Sequence, residues 1–151
     1  MISHYNVISN LLQAHAYNQK SRAASGIDTQ ITLGLLPFSH VYALVAVTHL
    51  GTYAGDEIIV LPRFEFTSFL SSIERFGINQ LSVVPPILIR MLSQKEECDK
   101  YDLDTVRLVF TGAAPLGAET AEDLRKAFPA WSIIQGYGKG TFYIKASLML
   151  T

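Results

Sequence analysis

The chain has 151 residues, enough for one domain with a real core, and 49% of them are hydrophobic against 17% charged. A net charge of −1 with no basic run gives it no electrostatic footprint for nucleic acid. A single cysteine, Cys98, excludes an internal disulfide, and no apolar stretch reaches the roughly 18 residues that a membrane helix needs.

In chain order, Asn6 is placed to cap a helix over 7–19, where Val7, Ile8, Leu11 and Leu12 recur at helical spacing. Residues 31–36 read as a short buried strand stopped by Pro37. The run "VYALVAVTHLGTY" (41–53) is apolar nearly all round, which predicts a helix buried on most faces. A strand over 57–61 precedes a helix over 65–76 with Phe66, Phe69, Leu70 and Ile73 on one side. A strand over 80–84 leads into "PPILIRMLSQ", where Pro86 suits the first turn of a helix because its missing N–H costs nothing there. The polar segment 95–104 predicts a loop carrying Cys98 as a surface thiol. A strand over 106–111, a helix over 117–128 and a strand over 131–135 follow.

Strands thus alternate with helices five times, the pattern of an α/β domain with a mostly parallel sheet. The low charge fraction fits a sheet covered on both faces, or apolar surface that belongs against something else. The tail from 139 to 151 breaks the alternation and reads as a different sequence joined on. The start, "MISHYNVISN", lacks the basic and apolar segments of a secretory signal. The end, "LMLT", is no peroxisomal tripeptide, and the location expected is cytoplasmic or peroxisomal.

Parallel sheets take ligands at the carboxyl ends of their strands, and three such ends carry unusual residues: "PFSHVY", "TGAAPLG" and "QGYGKG". Gly112, Ala113 and Ala114, with Gly136 and Gly138, would let a flat ring approach the backbone without obstruction by larger side chains. Tyr137 could stack on such a ring or simply pack. A small hydrolase built on Ser39 and His40 fits poorly, since adjacent side chains on an extended segment point apart and no nucleophile elbow is present.

The segments "MISHYNVISNLL", "LPFSHVYAL", "VVPPILIRML", "KYDLDTVRLVFTGAAPLGAE" and "QGYG", in that order, resemble the adenylate-forming enzymes. Within them the chain is similar to acyl- and aryl-CoA synthetases of the 4-coumarate–CoA ligase type, over residues 1–138. The resemblance implies part of the N-terminal domain of such an enzyme, followed by the divergent segment 139–151. It implies ATP, Mg²⁺ and CoA as the family's cofactors and an aryl or fatty carboxylic acid as substrate. The carboxylate attacks the α-phosphate to give an acyl-adenylate and pyrophosphate, and CoA then displaces AMP to give the thioester.

By the same resemblance His40 is the catalytic histidine beside the adenylate, and Tyr42 lines the acyl pocket together with His40 and Gly112. Ala113, Ala114 and Pro115 form the wall against adenine, Gln135, Gly136 and Tyr137 surround the acyl-adenylate, and Arg63 lies near CoA. No metal ligand is assigned. The family's phosphate loop would precede Met1, and "QGYG" should continue with an apolar residue and Thr-Glu, where Lys139 and Gly140 stand instead. With those groups and the small C-terminal lid domain missing, the expectation is a fragment without turnover of its own that binds AMP or an acyl-adenylate at most. A different class stays open: a non-catalytic nucleotide- or acyl-binding module, or one that associates with a full-length relative.

Overall fold

The computed structural model of the chain describes residues 3–24, 26–139 and 141–149, the side chains of residue 21 and of 137–149 excepted. The first helix, α1, spans His4–Ala24. Its cap is Ser3 rather than Asn6: the Asn6 amide donates to Ser3 Oγ at 3.2 Å, and Asn6 Oδ1 accepts from the Ser3 amide at 3.0 Å. Both residues are cap formers, and this reciprocal pair uses Ser3 as the cap and Asn6 as the residue that reaches back.

Strands β1 (Ile31–Gly34), β2 (Glu57–Val60), β3 (Gln80–Val83), β4 (Leu108–Thr111) and β5 (Ser132–Lys139) are all parallel, in the order β2-β1-β3-β4-β5. Strand β6 (Thr141–Met149) adds to β5 in the antiparallel sense at the edge. The tail beyond 138 therefore does leave the parallel pattern, and β5 runs past the expected end at 135.

Register alternation gives the sheet two different faces. Leu33, Leu81, Val109 and Ile133 lie in one row across four strands and face the main core. That core is closed by α3 (Phe66–Phe76), α4 (Pro85–Ser93) and α6 (Ala118–Ala127) through Phe69, Leu70, Ile73, Leu88, Met91 and Leu124, all fully buried. Burying each of the larger of these side chains contributes about 1.5–3 kcal/mol. The opposite row, Thr32, Gln80, Leu108 and Ser132, is more polar. On that face lie α1 and the segment that follows the β1 loop.

This segment is helical, as its apolar pattern predicts, but it winds mostly in the wider π form. Tyr42–His49 forms a π-helix, and Leu50–Ala54 (α2) continues as an α-helix up to Gly55. The Thr48 hydroxyl bonds back to the Ala43 and Leu44 carbonyls at 2.9 and 2.5 Å, which satisfies acceptors that the wide helix spaces apart. π-helices mostly occur as single turns, often beside functional sites.

A second departure concerns Cys98. Residues Lys95–Cys98 form the short helix α5, and Cys98 is buried in the main core, not on a surface loop. Its Sγ points at the Met91 carbonyl, 3.6 Å away, and burial pushes the thiol up to about 11. One inward position on a short polar helix suffices to make it a small core residue. Other boundaries fall within a few residues of those expected; α4 starts one residue early, with Pro85 as its first residue.

Candidate functional site

The carboxyl ends of β1, β3, β4 and β5 meet at one edge of the sheet, and the expected site residues divide between its interior and its rim. Tyr42 is in the interior. The π-helix turns its ring under the sheet edge, where the hydroxyl donates to the Phe110 carbonyl at 2.7 Å and lies 3.5 Å from the Val83 carbonyl. The ring meets Phe110 edge-on, with centroids 5.4 Å apart at 78°. Burial holds the phenol well above its usual pKa, so the hydroxyl stays a donor.

Gly112 is buried beside it. A Cβ there would sit 3.3 Å from the Gly136 carbonyl and 3.6 Å from the Tyr42 ring, so the β4 and β5 backbones approach as closely as the absence of a side chain permits. At Gly136 a Cβ would come within 2.5 Å of the Phe110 ring. Glycine is favoured at the second position, where a Cβ would have to displace that ring, and at the first by the neighbouring carbonyl. Gln135 is half-buried and in register with Thr111.

The rim carries the rest. Ala113, Ala114 and Pro115 are exposed just beyond Gly112, and Ala113 has φ = 68°, a left-handed conformation that costs a non-glycine residue on the order of 1 kcal/mol. Such strain gathers at ligand-contacting turns, where the surrounding structure over-determines the backbone. His40 is exposed after β1: its amide donates to the Pro37 carbonyl at 2.9 Å, and its Nδ1 accepts from the Tyr42 amide at 3.2 Å. In the neutral ring that acceptor role leaves the proton on Nε2. Arg63 is exposed in the connection that leads from the edge strand β2 to α3, and makes none of the hydrogen bonds found among the described residues. The Tyr137 side chain lies outside the described residues.

Two features escaped the sequence. Phe110 was read only as part of a strand, although its ring occupies the space above Gly136. Thr111 is fully buried, and its Oγ1 has no hydrogen-bond partner among the described residues. The signal available for both was register: residues 110 and 111 end the strand that leads into the small-residue turn.

Small exposed residues gather at this rim, and no group of three or more His, Cys, Asp or Glu that could hold a metal ion lies among the described residues. No helix among them is long and apolar enough to cross a membrane.

The family model for AMP-binding enzymes matches residues 1–139. The chain belongs to that family. It is 38% identical over 137 residues to the acyl-CoA ligase easD of Emericella nidulans, covering 91% of itself and 24% of that protein. It is 35% identical over 138 residues to the probable 4-coumarate–CoA ligase 1 of Dictyostelium discoideum, with the same shares of the two chains. The inhibitor-bound N-terminal domain of FACL13 from Mycobacterium tuberculosis superposes with a TM-score of 0.64 at 29% identity, over 73% of this chain and 27% of that one. The o-succinylbenzoate CoA synthetase of Bacillus subtilis superposes with a TM-score of 0.68 at 23% identity, over 85% and 25%, a likeness of fold alone. The chain therefore spans about a quarter of the length of these relatives.

Proposed function

We propose that this AMP-binding chain supplies the adenine- and acyl-facing part of an ATP-dependent ligase that activates a carboxylic acid as its acyl-adenylate and passes it to CoA. The observation that carries the reading is the meeting of the Gly112–Pro115 turn, Gly136 and the Tyr42–Phe110 pair at one strand edge. In this reading Ala113, Ala114 and Pro115 pack against the base, and Gln135 and Gly136 line the acyl-adenylate. Tyr137 joins them. His40, with Nε2 carrying the proton, donates a hydrogen bond towards the acyl-adenylate, and Arg63 receives part of CoA.

Residues 1–151 by themselves bind AMP or an acyl-adenylate without turning over. Lys139 and Gly140 stand where the family's pattern has an apolar residue and then Thr-Glu, and a lysine cannot do the work of a metal-binding carboxylate. Stabilisation of developing phosphate charge is usually the largest catalytic contribution.

A second reading, an interaction module that docks on a full-length relative, draws on the exposed side chains of Tyr5, Ile8 and Leu12 along α1. Pyrophosphate release with ATP, Mg²⁺ and a panel of aryl and fatty acids, alongside a thermal-shift titration with AMP, separates these readings. A shift with AMP and no pyrophosphate is the expected result. Steady pyrophosphate release would overturn the lack of turnover, and no shift at millimolar AMP would overturn nucleotide binding.

A further inference from the structure

We propose that Tyr42 is a positioning residue: its hydroxyl holds the Phe110 carbonyl near the end of β4, beside the Val83 carbonyl that ends β3, and so fixes the strained turn that follows β4. The resemblance makes Tyr42 an acyl-pocket residue and says nothing of where its hydroxyl is bound. The hydroxyl donates to the Phe110 carbonyl at 2.7 Å, with the Val83 carbonyl as a second acceptor at 3.5 Å. A phenol has one proton to donate, and it is committed to backbone. Phe110 and Val83 lie one register step apart on adjacent strands, since Val83 is opposite Thr111. The bond therefore braces the sheet at the place where its regular pairing stops.

Two independent features show what the brace holds. Ala113, three residues after Phe110, keeps a left-handed φ of 68°, which a lone alanine would leave if the chain before it could relax. The ring of Tyr42 also lies 3.6 Å from where a Cβ on Gly112 would be, so it fills the space into which the turn could collapse. On the other side, Tyr42 opens an eight-residue π-helix, an uncommon run of a costly form. An α-helix over the same residues would carry the first side chain to a different angle and take the hydroxyl off both carbonyls. The π form is thus the backbone's way of delivering this one ring.

That the turn receives a nucleotide rests on the function proposed above; the brace does not. The experiment uses the full chain and Tyr42→Phe, which keeps the ring and removes only the donor. Hydrogen exchange of amides 112–114 should quicken about tenfold while α3 and α4 amides stay unchanged, and AMP affinity should fall about five- to tenfold, the size of one lost net hydrogen bond. Unchanged exchange at 112–114, or equal quickening throughout, overturns the brace. Faster exchange with unaltered AMP affinity overturns its positioning role. Faster exchange in a chain whose parent form binds no AMP upholds the brace and removes the nucleotide reading instead.

Discussion

The two edges of the sheet are built on opposite plans. At the amino edge, side chains are spent on backbone. The Arg22 guanidinium grips Asp56 with two bonds of 3.0 and 2.5 Å, Asp56 accepts from the Gln30 amide at 3.0 Å, and Asn79 Oδ1 accepts from the Ile31 amide at 3.0 Å. The Arg22 and Asp56 side chains are only 13% and 7% exposed, and together they tie α1 to the starts of β1 and β2. At the carboxyl edge the residues are small, one buried hydroxyl has no partner among the described residues, and one alanine is strained. Order there comes from Tyr42 and from close backbone approach. One edge is fastened by side chains, and the other carries backbone strain that the proposed ligand site would account for.

The contrast is broken most directly by Asp56→Ala, which leaves the largely buried Arg22 with the Asp28 carbonyl in place of a carboxylate. Unfolding in urea should show a loss of about 3–5 kcal/mol, the usual result of removing one partner of a buried pair. A loss below about 1 kcal/mol, the range of exposed pairs, would mean that the amino edge is not fastened by this clamp. Gly136→Ala strikes the open edge: its Cβ would meet the Phe110 ring at 2.5 Å, and overpacking of that kind costs about 1–3 kcal/mol. Adding Phe110→Leu should recover much of that loss, and a double-mutant cycle with no coupling would dismiss the ring contact.

Ala113→Gly runs in the opposite direction. Relief of the left-handed strain outweighs the added freedom of the unfolded chain, for a net gain under about 1 kcal/mol in thermal unfolding. A loss would show that the turn is held by more than its neighbours described here.

The smallest effect expected belongs to Glu65, the cap of α3 and distant from both edges in role. The Ser68 side chain first, and then the Ser68 and Thr67 amides from which it accepts at 2.6 and 2.9 Å, hold its carboxylate at about 2. A pKa lower in the folded than in the unfolded chain adds stability above the ordinary carboxylate range, and the gain is lost as pH falls towards 2. The stability gap between the natural chain and Glu65→Ala should therefore narrow between pH 6 and pH 2.5. A gap that is independent of pH would point to packing rather than charge.

Much of this was legible from residue order alone. The strands announced themselves as short β-branched runs and α3 as a one-sided helix, because burial on one or two faces leaves a period in the sequence. The small turn at 112–115 was legible too, since small residues between a strand and a helix have few other uses. What stayed hidden depends on direction in space. A run that is apolar all round looks the same whether it winds as an α- or a π-helix, so the delivery of Tyr42 could not be read. Cys98 sits among Lys95, Glu96, Glu97, Asp99 and Lys100, and its seven-residue spacing from Met91 was the one faint sign that it turns inward. Ser3 and Asn6 are both natural caps, and only geometry decides between them.

The π-helix also bears on how this chain tolerates change in length. A helix wound wider than the α form stores slack that a shorter segment can take up. Losing one residue between Tyr42 and His49 would then let the segment rewind as an α-helix without pulling on β1 or α2. Far-ultraviolet circular dichroism of such a deletion should keep its helical signal while Tyr42 comes free of β4, so the segment would tolerate shortening in shape but not in placement.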